Sequence, residues 1–144
     1  MTSITLAQAS IIVDETLKKG RDTNSAQLTV AVLDAGGHLV AFKREDNSGI
    51  LRFEIAFGKA YGALGMGFGS RELLERSKAN PSFMGALTVL SQGRLVPLPG
   101  GILIKDASGA VIGAVGVSGD TSDRDEECAL TGISKAGLSA QPGS

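Results

Sequence analysis

Apolar positions recur at helical spacing near both ends and in the middle of the chain, with β-branched runs between them. Thr5 and Gln8 form a capping-box pattern, and Leu6, Ala9, Val13 and Leu17 then repeat on one face, which predicts a helix over about 5–19 stopped by Gly20. Leu28 to Leu33 is almost wholly apolar, and Asp34-Ala35-Gly36-Gly37 separates it from a second run, His38 to Lys43. This predicts a β-hairpin whose first strand is covered on both faces. Residues 50–66 carry the clearest helical pattern, with Ile50, Phe53, Phe57, Ala60, Tyr61 and Leu64 on a stripe expected to face the core. Ser70 is placed to cap a shorter helix over about 71–78, which Asn80-Pro81 ends. Phe83, Ala86, Leu87 and Leu90 suggest another helical piece, followed by the shaped loop Val96-Pro97-Leu98-Pro99-Gly100-Gly101. A second hairpin joins Ile102–Lys105 to Ala110–Val117 through Asp106-Ala107-Ser108-Gly109, echoing the first as a weak internal repeat. A helix over about 122–137 closes the pattern.

Composition narrows the reading. The chain has 144 residues, 42% hydrophobic and 20% charged, with 14 Lys and Arg against 15 Asp and Glu. That is one domain's worth of soluble, nearly neutral chain, expected over residues 1–138 with a flexible tail at 139–144. Neither a basic patch interleaved with aromatics nor an apolar run of bilayer length is present, so nucleic-acid and membrane partners are not expected. The polar start Met1-Thr2-Ser3 lacks the pattern of an export signal, and a cytoplasmic location is expected. A single cysteine, Cys128, and a single histidine, His38, exclude an internal disulfide and an ordinary structural zinc site, and no metal site is expected.

Most motifs have an ordinary structural reading. Gly65-x-Gly67-x-Gly69 follows a helix where a dinucleotide fingerprint follows a strand, so it reads as a turn between helices. Asp34 and Asp106 read as turn residues bonded to their own backbone, His38 as a solvent-facing strand histidine and Cys128 as a small buried hydrophobe. More informative is the other side of the central helix, where Arg52, Ala56, Lys59, Ala63 and Met66 form a row of small residues around two cations. Such a row leaves a shallow groove in which a cation would hold the carboxylate of a small acid or the propionate of a porphyrin. On that reading Lys59→Ala weakens an anionic ligand and leaves the fold intact. The alternative is a salt-bridge network with Asp125 and Glu126 of the last helix.

Four spaced segments carry a resemblance: Val32-Leu33-Asp34-Ala35-Gly36-Gly37-His38-Leu39-Val40-Ala41-Phe42, then Ile55-Ala56-x-x-Lys59-Ala60, then Val96-Pro97-x-Pro99-Gly100-Gly101, and Ile112-Gly113-Ala114-Val115-Gly116-Val117-Ser118-Gly119 with Asp125-Glu126. Their order resembles the GlcG/HbpS family. The resemblance implies an α+β, profilin-like fold, with a five-stranded antiparallel sheet between helices in three α/β/α layers, assembled as a homo-oligomer. It further implies small-molecule binding, with haem or a related tetrapyrrole as ligand. The first helix departs from the haem-binding pattern because it has no histidine, leaving His38, Met66, Met84, Tyr61, Cys128 or a lysine as axial ligands. Two other readings stand beside this one. The first is a cofactor-free enzyme acting on a small hydroxy or keto acid in catabolism, with Arg52 or Lys59 holding a carboxylate and Asp125 or Glu126 moving a proton; the second is a structural oligomeric subunit. The candidate binding residues are Arg52, Lys59, Arg94, Pro99, Gly100, Gly101, Ser118, Gly119, Asp125 and Glu126.

Overall fold

The computed structural model describes residues 2–143. In chain order the elements are α1 (Leu6–Asp22), β1 (Thr29–Asp34), β2 (Leu39–Arg44), α2 (Arg52–Met66), α3 (Ser70–Ala79), α4 (Pro81–Leu90), β3 (Gly101–Lys105), β4 (Val111–Ser118), α5 (Ser122–Lys135) and β5 (Ser139–Gln141). The strands form one sheet in the order β2-β1-β4-β3-β5, every pairing antiparallel. Helices α1 and α5 pack together on one face of the sheet and α2 lies on the other, giving the expected α+β architecture.

Alternation along the strands supplies the two faces differently. Val30, Val32, Ile102, Ile104, Val115 and Val117 meet Ile12, Val13, Cys128, Ala129 and Ile133 of α1 and α5 in a thick aliphatic core. Toward α2 the sheet presents Leu33, Leu103 and Ala114 together with two glycines of β3 and β4. A Cβ on Gly116 would overlap the Ala56 carbonyl, and one on Gly101 would overlap that of Lys59. Helix α2 therefore rests nearly backbone to backbone on the sheet, a distance that admits Ala56, Ala60 and Ala63 but no ring. This corrects the expected core stripe. Of that stripe Ala60 is fully buried, Phe57, Tyr61 and Leu64 lie partly buried at the edge of the Leu33–Leu103–Ala114 cluster, Phe53 is only partly buried on the flank, and Ile50 lies outside the helix, 87% exposed.

Local departures have local causes. Helix α1 runs through Gly20, whose role is contact, because a Cβ there would come within 2.6 Å of Leu28 Cδ1. The left-handed stop expected there occurs instead at Gly67, which ends α2 at φ 84° and donates its N–H to the Ala63 carbonyl. Ser70 does not cap α3 but joins it; its hydroxyl donates to the Leu98 carbonyl and accepts from Gly101 N–H, pinning the proline-rich loop. The expected tail at 139–144 is in part a strand. Its polar residues carry no alternating signal, yet β5 pairs with β3, and Gln141 Oε1 accepts from Gly69 N–H at 3.0 Å. Ser144 lies outside the described residues.

Candidate functional site

The residues singled out around the small-residue row do converge, but inside the protein. Lys59, on the sheet-facing side of α2, is 2% exposed, and its ammonium donates to Asp125 Oδ2 at 3.1 Å and to the Val117 carbonyl at 2.8 Å. Asp125, 1% exposed in the first turn of α5, accepts the Asp120 N–H on its other oxygen at 3.0 Å. Gly100 closes over this pair with φ 115°, and a Cβ there would come to 3.0 Å from Lys59 Nζ. Burial pushes the Lys59 ammonium down and the Asp125 carboxyl up, while the attraction between them opposes both shifts. The expected groove over Lys59 is thus a sealed ion pair between α2, β4 and α5, because the glycines beneath α2 let the helix come too close to leave a groove.

The other candidates are held in place around it. Arg52 donates to the buried Ser118 hydroxyl at 3.0 Å. Glu126 accepts from Arg71 Nε at 3.0 Å, and the same guanidinium also pairs with Asp123. Pro99 and Gly101 are buried, and the Gly101 N–H is taken by Ser70. Gly119 packs where a Cβ would overlap the Gln27 carbonyl. Asp34 and Asp106 accept the N–H groups of Gly36 and His38, and of Ser108 and Ala110, as turn aspartates do. Cys128 is buried in the core between α5 and the sheet, and burial pushes its thiol up to about 11.

Arg94 alone of the candidate set stands on an open surface, and it marks a site the sequence reading missed. The chain has five Phe, one Tyr and no Trp. Phe42, Phe53, Phe57 and Tyr61 form a continuous file along the outer flank of α2, with ring centroids 5.0, 5.8 and 5.6 Å apart in sequence. The Arg94 guanidinium covers the last ring, 4.6 Å from the Tyr61 centroid. Clefts surround this end. One of 310 Å³ is lined by Phe53, Glu54, Phe57 and Gln92 to Arg94; one of 220 Å³ has Tyr61, Met66, Leu87, Leu90 and Arg94 in its wall; one of 180 Å³ is lined by Ala35, Gly36, Gly37, Tyr61, Leu64 and Gly65. The periodicity of residues 50–66 places Phe53, Phe57 and Tyr61 toward the core; the signal that turns them outward is the close approach of Ala56, Lys59 and Ala60 to glycines in the facing strands.

A wider cleft of 420 Å³ between Arg21 and Arg44 is polar, and Arg21 is committed to Glu45 at 2.9 Å and to the Ser25 and Ala26 carbonyls. Among the described residues no three His, Cys, Asp or Glu side chains gather as a metal site, and no helix is long and apolar enough to cross a membrane.

A five-stranded antiparallel sheet with helices on both faces, carrying this file, defines a class that comparison with known proteins makes specific. The family described as haem degrading protein HbpS-like matches residues 4–134, and the chain belongs to it. A 15.0 kDa protein from the dhaT-dhaS intergenic region of Citrobacter freundii is 32% identical over 133 residues, 92% of each chain. The crystal structure of the PduOC:heme complex superposes with a TM-score of 0.86, covering 96% of this chain and 98% of that one, at 21% identity; it shows the shared fold. The crystal structure of HbpS superposes with a TM-score of 0.80 at 27% identity, covering 93% of this chain and 90% of that one.

Proposed function

We propose that the protein binds haem, or a closely related tetrapyrrole, on the aromatic file of α2. The family and its heme-bound structural neighbour support a ligand of this kind. The observation that carries the location is the file itself, in which four rings and a guanidinium are held at the surface while the core is built from aliphatic side chains.

The residues present fit such a group. Phe57 and Tyr61 stack with an interplanar angle of 19°, and the partly exposed file with its flanking clefts offers apolar surface to a macrocycle. Arg94 supplies a cation for a propionate: its Nε is engaged with the Ser91 carbonyl, its guanidinium lies over Tyr61, and the residue lines the cleft beside Phe53 and Phe57. Gly37, at φ 85°, keeps the far side of Tyr61 open, where a Cβ would come to 3.4 Å from the ring. When bound, haem would supply a redox-active iron; the protein's share is to stack the ring, pair its carboxylates and exclude water from one face. By contrast, the side chains named for proton transfer on a small acid are tied into ion pairs, Lys59 with Asp125 and Glu126 with Arg71. A titration of tag-free protein with hemin tests this reading. The expected result is a saturable Soret shift at one hemin per chain; absence of saturation overturns it.

The same surface supports assembly as a homo-oligomer. Leu90, which lines the cleft at Tyr61, and its neighbour Val89 are each 79% exposed, and Leu51 at the start of α2 is 65% exposed. Light scattering is expected to give a multiple of the 14.7 kDa chain mass; a monomer would contradict this.

A further inference from the structure

We infer that the free edge of β2 pairs, antiparallel, with the same edge of a second copy of this chain, about a two-fold axis beside Phe42. The inference rests on the assembly reading above and assigns a surface which that reading leaves out. Strand β2 is the outermost strand on its side of the sheet. Glu45 N–H donates to the Leu28 carbonyl, and Val30 faces Lys43 in the ladder. Alternation along an antiparallel strand then turns the backbone groups of Ala41 and Lys43 inward to β1 and those of Phe42 and Arg44 outward.

An open edge is a template for another strand, and folded proteins usually blunt it. The opposite edge, β5, is only three residues long. Strand β2 has six, and its first four, Leu39 to Phe42, are apolar. Leu39 and Phe42 are exposed, as are Leu6 and Ile11 on the neighbouring helix α1. A cleft of 270 Å³ lies between strand and helix, with Leu6, Val13, Asp14, Val40, Ala41 and Lys43 in its wall.

Register selects the occupant. A two-fold centred on Lys43 or Arg44 sets like charges opposite one another, which is destabilising. One centred on Ala41 puts Val40 in the middle of the paired segment, where that residue is skipped in the ladder with β1. Centring on Phe42 avoids the charges and leaves Val40 to the ends. The two Phe42 residues then exchange both backbone hydrogen bonds. Their rings meet on the α2 face, each backed by its own Phe53 at 5.0 Å, so the aromatic file runs on into the second copy. Lys43, which donates to Asp14 at 2.8 Å on the α1 face, stands opposite Ala41 of the second copy, beside the cleft that the second copy's Asp14 lines. Acid and base thus alternate across the axis. A foreign strand would need only the edge; the match of ring to ring and of Lys43 to Asp14 is what favours a second copy.

The test uses the full-length, tag-free chain. Ala41 and Lys43 form the closely spaced pairs of this register, with Cα atoms about 4.5 Å apart and within reach of a disulfide. Ala41→Cys and Lys43→Cys chains, co-expressed and mildly oxidised, are expected to give a cross-linked dimer that neither gives alone; Cys128 is buried and does not compete. Arg44→Pro removes an outward N–H and leaves the ladder with β1 whole. It is expected to unfold cooperatively and to lower the light-scattering mass to about half. A wild-type monomer overturns this inference and the assembly reading together. An oligomer that lacks the mixed cross-link, or that cross-links through Ala41→Cys alone, overturns this inference and leaves the assembly reading standing. A mass unchanged by Arg44→Pro does the same and leaves the β2 edge to a strand of another protein.

Discussion

Helix α2 has two long sides that follow opposite rules. The side toward the sheet carries Ala56, Lys59, Ala60 and Ala63, small except for one lysine whose charge is cancelled in place; the outer flank carries Phe53, Phe57 and Tyr61, large and half open to solvent. In most surface helices the large apolar residues face the core. Here the order is inverted because the glycines of β3 and β4 bring backbone against backbone, and contact there is won by proximity and not by side-chain volume. What the inner side gives up in ring burial, the outer side gains as a ligand surface. The inner side is therefore expected to govern stability and the outer side affinity.

The sharpest break in that division comes from removing one half of the buried pair. Lys59→Met leaves Asp125 buried without its counter-charge, so unfolding by denaturant is expected to show a loss of about 3–5 kcal/mol. The sign of its pH dependence follows from the carboxyl. Asp125 is already pushed up by burial, and losing Lys59 pushes it further, so the folded variant takes up a proton more readily than the unfolded chain. The deficit of Lys59→Met relative to wild type is then expected to shrink as pH falls from neutrality toward the acid side; a deficit that grows on acidification would show that Asp125 is not the group left exposed to the loss.

Next in size is Gly116→Ala. Its methyl group meets the Ala56 carbonyl, a backbone obstacle that no rotamer change relieves, and a loss of about 1–3 kcal/mol in denaturant unfolding is expected. A neutral result would mean that α2 is free to lift from the sheet. On the outer flank the balance reverses: Phe57→Ala with Tyr61→Ala is expected to weaken hemin binding about tenfold by absorbance titration, each ring pair being worth about 0.5–1.5 kcal/mol. Smallest is Arg94→Ala. It is expected to weaken hemin about threefold at low salt, with the effect fading as salt is added and absent for the dimethyl ester, which has no propionate charge to pair.

Legibility in the sequence followed the same division. The hairpins, the order of the helices and the aliphatic face under α1 and α5 could be read because alternation and helical spacing are one-dimensional signals, as the Leu28–Leu33 run and the Asp34 and Asp106 turns illustrate. The rotation of α2 could not be read that way. It depends on Gly101 and Gly116, far along the chain in strands that pair only in the folded sheet, and no pattern within residues 50–66 encodes them. For the same reason the candidate set was split. Of the salt-bridge alternative only Lys59 with Asp125 forms, sealed under Gly100 with no opening to a ligand; Glu126 pairs with Arg71 and Arg52 bonds Ser118, whereas Arg94 stands over Tyr61. The strand at 139–141 was invisible because its pairing uses backbone groups and its side chains carry no apolar alternation.

The claim that the outer flank of α2 is the ligand surface is tested most directly by titrating hemin into tag-free wild type and the Phe57→Ala/Tyr61→Ala variant side by side, with thermal unfolding as the control for folding. The account predicts saturation at one hemin per chain in the wild type and about tenfold weaker binding in a variant that still unfolds cooperatively. Equal affinity in the two proteins would contradict it.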